Sequence, residues 1–461
     1  MFFCQVLHRD LGCASYLLGD AGEAVVVDPR WDIDEYLEIA ARERLRLTHV
    51  IDTHEHADHV SGRARLVAAT GAREHRPHHP GQPAGAPGTI AAGEQLVVGA
   101  LRLTALGTPG HRPEHLAFAV ADTSRGEEPW MLLSGDSLLV GDVARPDLAY
   151  EAEEGAHALH GTLHEMLSRL PDGVELWPAH VGGSLCGGSG LSHKTSSTIG
   201  YERRHNPPLS LDHDAFVHAV TTSLPSRPPN IERIVSINRA ADQAFPREPA
   251  ILGASGLAEL WRGGVTVLDS RAPEDFDAGH LPGAVNLPLA SVGLGTRAGW
   301  ALDPEQPLVI LAADKRATAR TASALQAVGF WNLVGAAVAD RRTWREAGLP
   351  VSHAGAWDID RLAGGLRGGK VELVDARERG EWLAGHVPGS VHLPLVRLPE
   401  VDSLRRAEAG HVTAVACAAG ARAAFAASLL RRAGHSDVVR VAGGGIPDLP
   451  GCGIELAVGE D

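Results

Sequence analysis

The sequence is poor in cysteine, aromatic residues and positive charge, and it has no long apolar run. Its 461 residues include five widely separated cysteines, an odd number that argues against a disulfide framework and favours a reducing compartment. No apolar run approaches the roughly 18 residues of a membrane span, so we expect a soluble protein. The formal net charge of −15 disfavours nucleic acid as a partner, because phosphate binding needs a basic surface. The N-terminal segment MFFCQVLHRDLG lacks the features of a secretory signal, which favours a cytoplasmic location.

The C-terminal half of the chain contains an internal repeat. VLDSRAPEDFDAGHLPGAVNLP (267–288) and LVDARERGEWLAGHVPGSVHLP (373–394) align residue for residue, and each carries an Asp-x-Arg and a His-x-Pro-Gly motif. Each copy alternates apolar strands with helical stretches, which predicts two tandem domains with parallel α/β sheets. At about 150 residues per domain, the length predicts roughly three domains in all. Their predicted bounds are 1–245, 246–355 and 356–461.

In the N-terminal domain, short apolar runs repeatedly end in a side chain that can bind a metal. Ligands at the ends of buried strands can be held rigidly and can face one cleft. The stretch Thr53–His59, THEHADH, adds further candidates to this set. Imidazole and carboxylate suit zinc and iron about equally, so ligand type does not choose the metal. The seven candidate ligands are His54, His56, Asp58, His59, His111, Asp136 and His180.

The order of these motifs resembles the metallo-β-lactamase superfamily: His-x-His-x-Asp-His, Thr-Pro-Gly-His, Ser-Gly-Asp and then Pro-Ala-His. The resemblance implies an αββα sandwich with the metal in a cleft at one edge of the two sheets. A glyoxalase II-like thioesterase would use all seven ligands to hold two zinc ions and a hydroxide that attacks the thioester. This alternative stays open at the level of the sequence.

The flanking segments CASYLLGD, THEHADHVSG and LLSGDSLLVGDVARPDL are similar to those of persulfide dioxygenases along nearly the whole domain. This resemblance implies one Fe(II) per chain, held by His54, His111 and Asp136. Two histidines and a carboxylate leave three positions open on one face of iron, enough for O2 and a persulfide. The resemblance also implies that four residues orient ligands and water: His56, Asp58, His59 and His180.

Two further residues are candidates for substrate binding. Arg145, in VARPDL, matches an arginine near the substrate in the persulfide dioxygenases, and a solvated surface arginine is the alternative. Cys186, in GGSLCGGSG, follows His180 by six residues. Its thiol could carry sulfane sulfur near the cleft or could be a small buried apolar group, and the sequence leaves both open.

The second copy of the repeat carries a Cys-x4-Arg loop from Cys417 to Arg422, between an apolar strand and a helical stretch. A sulfur over a helix N-terminus is stabilised as a thiolate by backbone N–H groups and the macrodipole. The loop resembles that of rhodanese, which implies sulfur transfer on Cys417 with Arg422 at the substrate. The first copy has Ala313 and Asp314 around the cysteine position. Without a thiol it lacks a covalent sulfur carrier, so we expect a structural spacer that docks its neighbours, with ligand binding as a less favoured role.

The order of the three domains resembles the CstB-like persulfide dioxygenase/sulfurtransferase fusions. The resemblance implies oxidation of a low-molecular-weight thiol persulfide with O2 to sulfite and thiol, and exchange of sulfane sulfur with sulfite or thiosulfate at Cys417. It also implies a role in sulfide detoxification and a homodimer or homotetramer. The alternatives are a dinuclear zinc thioesterase with a rhodanese appendage and, less favoured, a non-enzymatic sulfur carrier or sensor.

Overall fold

The computed structural model describes the chain apart from residues 9, 80, 84, 183–189, 223, 241–244, 405–406, 408–409 and 461. Cys186, one of the predicted substrate-binding residues, therefore lies outside the described residues. The chain divides into a first unit, Met1–Arg227 with Ile231–Ala244, and a second unit, Pro228–Asn230 with Phe245–Asp461. No helix of the described part is both long and apolar enough to cross a membrane.

The first unit is built from strands β1–β14 and helices α1–α6. The strands are β1 Phe2–His8, β2 Cys13–Asp20, β3 Glu23–Val27, β4 Arg46–Ile51, β5 Arg73–Pro77, β6 Thr89–Ile90, β7 Gln95–Val98, β8 Leu101–Gly107, β9 Leu116–Asp122, β10 Met131–Gly135, β11 Leu138–Leu139, β12 Asp142–Val143, β13 Glu175–Pro178 and β14 Ser197–Thr198. The helices are α1 Asp34–Glu43, α2 Arg63–Thr70, α3 Ala152–Arg169, α4 Ile199–His205, α5 His213–Thr221 and α6 Ile231–Arg239, with a 3-10 turn at Pro207–Ser210.

Twelve of these strands form two six-stranded sheets that pack face to face, and β11 and β12 form a separate antiparallel pair. Their orders are β1-β2-β3-β4-β5-β6 and β14-β13-β10-β9-β8-β7. Side chains such as Leu18, Val27, Leu103, Phe118 and Leu133 fill one core between the sheets. Helices α1 and α2 cover the outer face of the first sheet, and α3 covers that of the second. The predicted αββα sandwich is confirmed, because both faces of each sheet bury apolar side chains.

The second unit contains strands β15–β23 and helices α7–α14. The strands are β15 Thr266–Asp269, β16 Val285–Asn286, β17 Leu308–Ala312, β18 Leu333–Val338, β19 Gly355–Trp357, β20 Val371–Asp375, β21 Val391–His392, β22 Val412–Ala416 and β23 Val438–Val441. The helices are α7 Ala254–Arg262, α8 Pro273–Asp277, α9 Leu294–Ala301, α10 Lys315–Gln326, α11 Arg341–Glu346, α12 Ile359–Arg367, α13 Arg379–Ala384 and α14 Ala421–Arg432. Two 3-10 segments, Leu395–Ser403 and Ile446–Cys452, complete the unit.

The sheets of this unit have the orders β16-β15-β17-β18 and β19-β23-β22-β20-β21, and every strand pair in them is parallel. The prediction of two parallel α/β sheets from the repeat is therefore confirmed. The repeated Asp-x-Arg motif has the same role in both copies. Arg271 pairs with buried Asp269 at 2.6 Å, and Arg377 pairs with buried Asp375 at 2.6 Å. The motif is thus a structural ion pair at the end of β15 and of β20.

Candidate metal centre and candidate sulfur-transfer site

The candidate metal ligands come from loops that follow four strands of the first unit. His54 follows β4 of the first sheet, whereas His111, Asp136 and His180 follow β8, β10 and β13 of the second sheet. Strands β8 and β10 are both antiparallel to β9, and β13 is parallel to β10, so the carboxyl ends of these three strands meet at one edge.

Three side-chain atoms converge at this edge without hydrogen-bond partners. The Nε2 atoms of His54 and His111 lie 3.7 and 3.4 Å from Oδ2 of Asp136. All three atoms are buried, and none has a partner among the described residues. Buried polar atoms are costly when unpaired, so three of them facing one point fit a cation that binds all three. The donor set of two imidazoles and one carboxylate suits iron or zinc.

The other polar atom of each group is bound by the protein, which fixes its orientation. His111 Nδ1 donates to the Arg145 carbonyl at 2.8 Å. His54 Nδ1 lies 2.9 Å from the Thr53 hydroxyl, which itself donates to the Asp28 carboxylate at 2.9 Å. The Thr53 oxygen therefore accepts the His54 proton. Both histidines thus carry their proton on Nδ1 and turn the lone pair of Nε2 toward the convergence point.

The electrostatics of the group keep it in a metal-binding protonation state. Burial lowers the pKa of His54 well below its ordinary value, and burial likewise lowers the pKa of His111. Burial by itself would raise the pKa of Asp136, but the charge and hydrogen bond of His180 outweigh it and lower that pKa to about 2. At neutral pH the group therefore consists of two neutral imidazoles and a carboxylate.

His180 is held differently from these three residues. Its Nδ1 lies 2.6 Å from Oδ1 of Asp136, and its Nε2 lies 3.0 Å from Oδ2 of Asp58. Both nitrogens of His180 face carboxylate oxygens, so a metal bound by His180 would have to replace one of these contacts. The other oxygen of Asp58 lies 3.0 Å from Nδ1 of His59. Asp58, which a second metal would use, is therefore hydrogen-bonded to His180 and to His59.

His56 is bound to Asp28, with 3.1 Å between Nε2 and Oδ1. Burial favours the neutral ring, but the Asp28 carboxylate outweighs it and raises the pKa of His56 to about 9. His56 Nδ1 and His59 Nε2 have no hydrogen-bond partner among the described residues. With Asp58 they form a second group of closely spaced ligand atoms, which is where a second ion would lie.

Several residues of the centre were missed by the sequence analysis. Cys13, at the start of β2, has its Sγ 3.1 Å from Oδ2 of Asp58, and burial raises the pKa of its thiol. Asn238, on α6, donates from one amide group to the carbonyls of His56 and His59, at 2.9 Å each. Nε2 of His115 accepts the backbone N–H of Asp136 at 2.8 Å. Cys13, Asn238 and His115 stand outside the ligand motifs and are distant in sequence from the residues that they contact. The spacing of residues within the motifs therefore gave no indication of them.

The glycine of Ser-Gly-Asp is required by this packing. Gly135 has φ of +54°, in the left-handed region that favours glycine. A Cβ at this position would lie 2.5 Å from Nε2 of His115 and 2.9 Å from the Thr53 hydroxyl. Any larger residue would therefore push Asp136 away from the two histidines.

Arg145 contacts the centre through its backbone. Its carbonyl accepts the proton of His111 Nδ1. Its guanidinium is buried and binds Asp147 at 2.6 and 2.8 Å and the Pro225 carbonyl at 2.6 Å. The predicted substrate contact of Arg145 stays a prediction, beside a positioning role that the sequence did not indicate.

The second unit carries the candidate sulfur-transfer loop. Cys417 directly follows β22, and α14 begins at Ala421. The buried Cys417 sulfur accepts the backbone N–H of Gly420 at 3.0 Å. Arg422, in the first turn of α14, forms a two-point ion pair with Glu381, with one of its distances 2.9 Å. A sulfur beside a helix N-terminus and a backbone N–H is in a position that stabilises a thiolate.

The corresponding loop of the first copy has a different structure. Strand β17 ends at Ala312 and α10 already begins at Lys315, so the loop is shorter. The side chain of Asp314 caps α10 by accepting the N–H of Ala317 at 2.7 Å. The N–H group that would face an anionic ligand is thus bound by a carboxylate of the chain itself.

The fold and the candidate sites define this protein as an αββα domain of the metalloenzyme type, joined to parallel α/β domains of which one carries a buried cysteine in the loop before a helix. The model of the metallo-β-lactamase superfamily matches residues 8–180, and the rhodanese-like domain model matches residues 255–338 and 358–448. The chain belongs to the metallo-β-lactamase superfamily, an enzyme family, and carries tandem rhodanese-like domains.

Relatives of two activities match the N-terminal half. The mitochondrial persulfide dioxygenase ETHE1 of Bos taurus is 31% identical over 235 residues, which cover 49% of this chain and 82% of the relative. A hydroxyacylglutathione hydrolase of Polaromonas sp. (strain JS666 / ATCC BAA-500) is 35% identical over 170 residues, 36% of this chain and 61% of the relative. A metallo-beta-lactamase structure from Staphylococcus aureus subsp. aureus COL aligns with a TM-score of 0.64 and 28% identity, covering 73% of this chain and 98% of that one.

Proposed function

We propose that the protein is a persulfide dioxygenase that uses one Fe(II) per chain and is coupled to sulfur transfer at Cys417. The overall oxidation is RSSH + O2 + H2O → RSH + SO3²⁻ + 2H⁺, with R a low-molecular-weight thiol. The sulfite formed is an acceptor for sulfane sulfur on Cys417, which gives thiosulfate. Together the two steps would consume persulfides that arise from sulfide.

The proposal rests on a difference in hydrogen bonding among the seven candidate ligands. His54, His111 and Asp136 present three unpaired buried atoms to one point. Asp58 and His180 instead bind each other at 3.0 Å. A single ion with two histidines and one carboxylate keeps open positions on one face, which a reaction between two bound small molecules needs.

The residues around the ion would serve to orient it and its substrates. Bound Fe(II) would bring O2 and the persulfide sulfur together at its open positions. Thr53 and the Arg145 carbonyl hold the two imidazole rings, and His180 holds Asp136 with Oδ2 directed at the ion. The three ligating side chains are fully buried, so bulk water is excluded from their side of the ion.

A dinuclear zinc thioesterase is the second candidate function. It is favoured by the presence of all seven candidate ligands and by the matching hydroxyacylglutathione hydrolase relative. It requires Asp58 and His180 to exchange their mutual hydrogen bond for a metal. Metal content separates the candidates, because the dioxygenase binds about one iron per chain and the hydrolase binds two zinc ions.

The first experiment measures O2 uptake by the iron-loaded full chain on addition of glutathione persulfide, with sulfite and thiosulfate assayed in the same mixture. Asp136→Ala should abolish iron binding and O2 uptake and leave sulfur transfer intact. Cys417→Ser should abolish sulfur transfer and leave O2 uptake intact. If either substitution abolished both activities in a folded protein, the two-site proposal would be wrong. If neither glutathione persulfide nor coenzyme A persulfide caused O2 uptake, the thioesterase would become the better hypothesis.

A further inference from the structure

A small cleft in the second unit is lined by residues of both copies of the repeat, including Arg422 of the sulfur-transfer loop. Arg297, from α9 of the cysteine-less copy, lines this cleft with Arg422 of the loop. Helix α9 packs against the 3-10 segment Leu395–Ser403 of the other copy, which carries Arg297 there. The remaining walls are apolar and consist of Ala376, Leu393, Leu395, Leu398, Phe425 and Ala426.

The two arginines differ in how they are bound. Arg422 forms its two-point ion pair with Glu381. Arg297 donates from Nε to the Val292 carbonyl at 2.7 Å. Within the described part of the chain, its two terminal amino groups have no hydrogen-bond partner, and the side chain is only half-buried. Arg297 can therefore bind an anion at its terminal amino groups without giving up an ion pair.

Arg297 has charged neighbours of both signs. Burial lowers the pKa of Arg297, and repulsion from Arg422 lowers it further, whereas Glu378, Cys417 and Glu381 raise it. The charge of Arg422 is offset by its ion pair with Glu381, so Arg297 is the arginine of the cleft whose terminal N–H groups can take an anion. Arginine suits such a role because its planar group can give two hydrogen bonds to one oxoanion.

We propose that Arg297 is a specificity-determining residue of the Cys417 site, where it binds a second negative charge and selects dianionic inorganic sulfur donors and acceptors over monoanionic ones. This inference rests on the proposed sulfur transfer. The Cys417 thiolate attacks the outer sulfur of thiosulfate, a bond forms between these sulfurs, and the S–S bond of thiosulfate breaks. Sulfite leaves with the bonding electron pair, and Cys417 persulfide remains. The reverse reaction returns thiosulfate. The cysteine-less domain, expected from the sequence to be a spacer, thereby supplies a charge to its neighbour's site.

Steady-state sulfur transfer by the full chain tests the charge preference. Thiosulfate and methanethiosulfonate both donate a sulfane sulfur, and they differ by one negative charge. Loss of a charge-assisted hydrogen bond in Arg297→Gln should raise KM for thiosulfate about tenfold with little change in kcat. KM for methanethiosulfonate should rise by no more than about threefold, and Arg297→Lys should recover most of the loss. The matched control is Arg342→Gln, which removes an exposed arginine of the same copy that pairs with Glu346 at 3.0 Å.

Alkylation of Cys417 supplies a readout that does not depend on turnover. Iodoacetate is anionic and iodoacetamide is neutral, so the ratio of their rates at Cys417, followed by peptide mass spectrometry, reports the local positive charge. Arg297→Gln should lower this ratio several-fold, and Arg342→Gln should leave it unchanged. Equal changes for both donors, or an unchanged alkylation ratio, would overturn the role of Arg297. If the unsubstituted chain transferred sulfur from neither donor, the proposed sulfur transfer itself would fail, whatever Arg297 does.

Discussion

Asp58→Asn separates a one-metal centre from a two-metal centre, because Asp58 is a ligand only in the second. Asparagine keeps the shape of the side chain but removes its charge and replaces one oxygen by an N–H donor. In the structure Asp58 takes part in three hydrogen bonds: with His59 at 3.0 Å, with His180 at 3.0 Å and with Cys13 at 3.1 Å. One amide oxygen serves only part of this set, so His180 loses its fixed position.

The size of the effect follows from these contacts. Loss of one charge-assisted hydrogen bond costs about 1.5–3 kcal/mol, and the bond lost is the one by which Asp58 holds His180, the residue that positions Asp136. Replacement of a residue that orients a metal ligand lowers metal affinity or activity roughly 10–100-fold. For a one-iron centre we therefore expect Asp58→Asn to bind about one iron at saturation with a raised dissociation constant. Asp136→Asn, which removes a ligand, should bind none.

The assay is anaerobic loading with Fe(II) or Zn(II), followed by elemental analysis and by titration with a competing chelator. Asp214→Asn is the control for the loss of one carboxylate charge, because the Asp214 side chain is fully exposed. The one-metal interpretation would be refuted if the unsubstituted chain bound two metal ions and Asp58→Asn lost one of them.

Three further predictions concern the second unit. A Cβ on Gly445 would lie 2.2 Å from the carbonyl oxygen of Cys417, so Gly445→Ala should slow sulfur transfer at least tenfold by distorting the loop, whereas Gly451→Ala, with open space around it, should not. Burial lowers the pKa of His280 to about 4, so the unfolded state takes up the proton first on acidification. The neutral His280 ring therefore contributes to the free energy of unfolding above pH 6.5, and roughly 3 kcal/mol of this contribution is lost as the pH falls toward 4. In His280→Gln, the free energy of unfolding measured in urea should depend less on pH over that range. The buried Arg440 of the second copy binds Asp277 of the first copy at 2.5 Å. Arg440→Ala should therefore lower the free energy of unfolding by about 3 kcal/mol. An unchanged midpoint of unfolding in urea would contradict this prediction.

The sequence alone determined the order of the ligand motifs, the repeat and the fold class. These features are local, because a ligand at the end of an apolar strand or a copied Asp-x-Arg motif can be recognised within a few residues. The two parallel sheets were predicted in this way, whereas the αββα sandwich and the superfamily were implied by the resemblance of the motifs, and all of them are confirmed. The seven candidate ligands were also proposed from the sequence, since the histidines and aspartates of these motifs can be recognised in it directly.

Only the tertiary structure decided what each side chain of the centre does. His54 and His180 are the same residue type at the ends of similar strands, yet one turns an unpaired nitrogen to the centre and the other has both nitrogens bound to carboxylates. The placement of Cys13 and Arg297 likewise depends on residues that are distant in sequence. The physical reason is that the free lone pair of an imidazole, or the free N–H of a guanidinium, depends on which partner packs against its other side. That partner is chosen by the packing of sheets and helices and not by neighbouring residues in the chain.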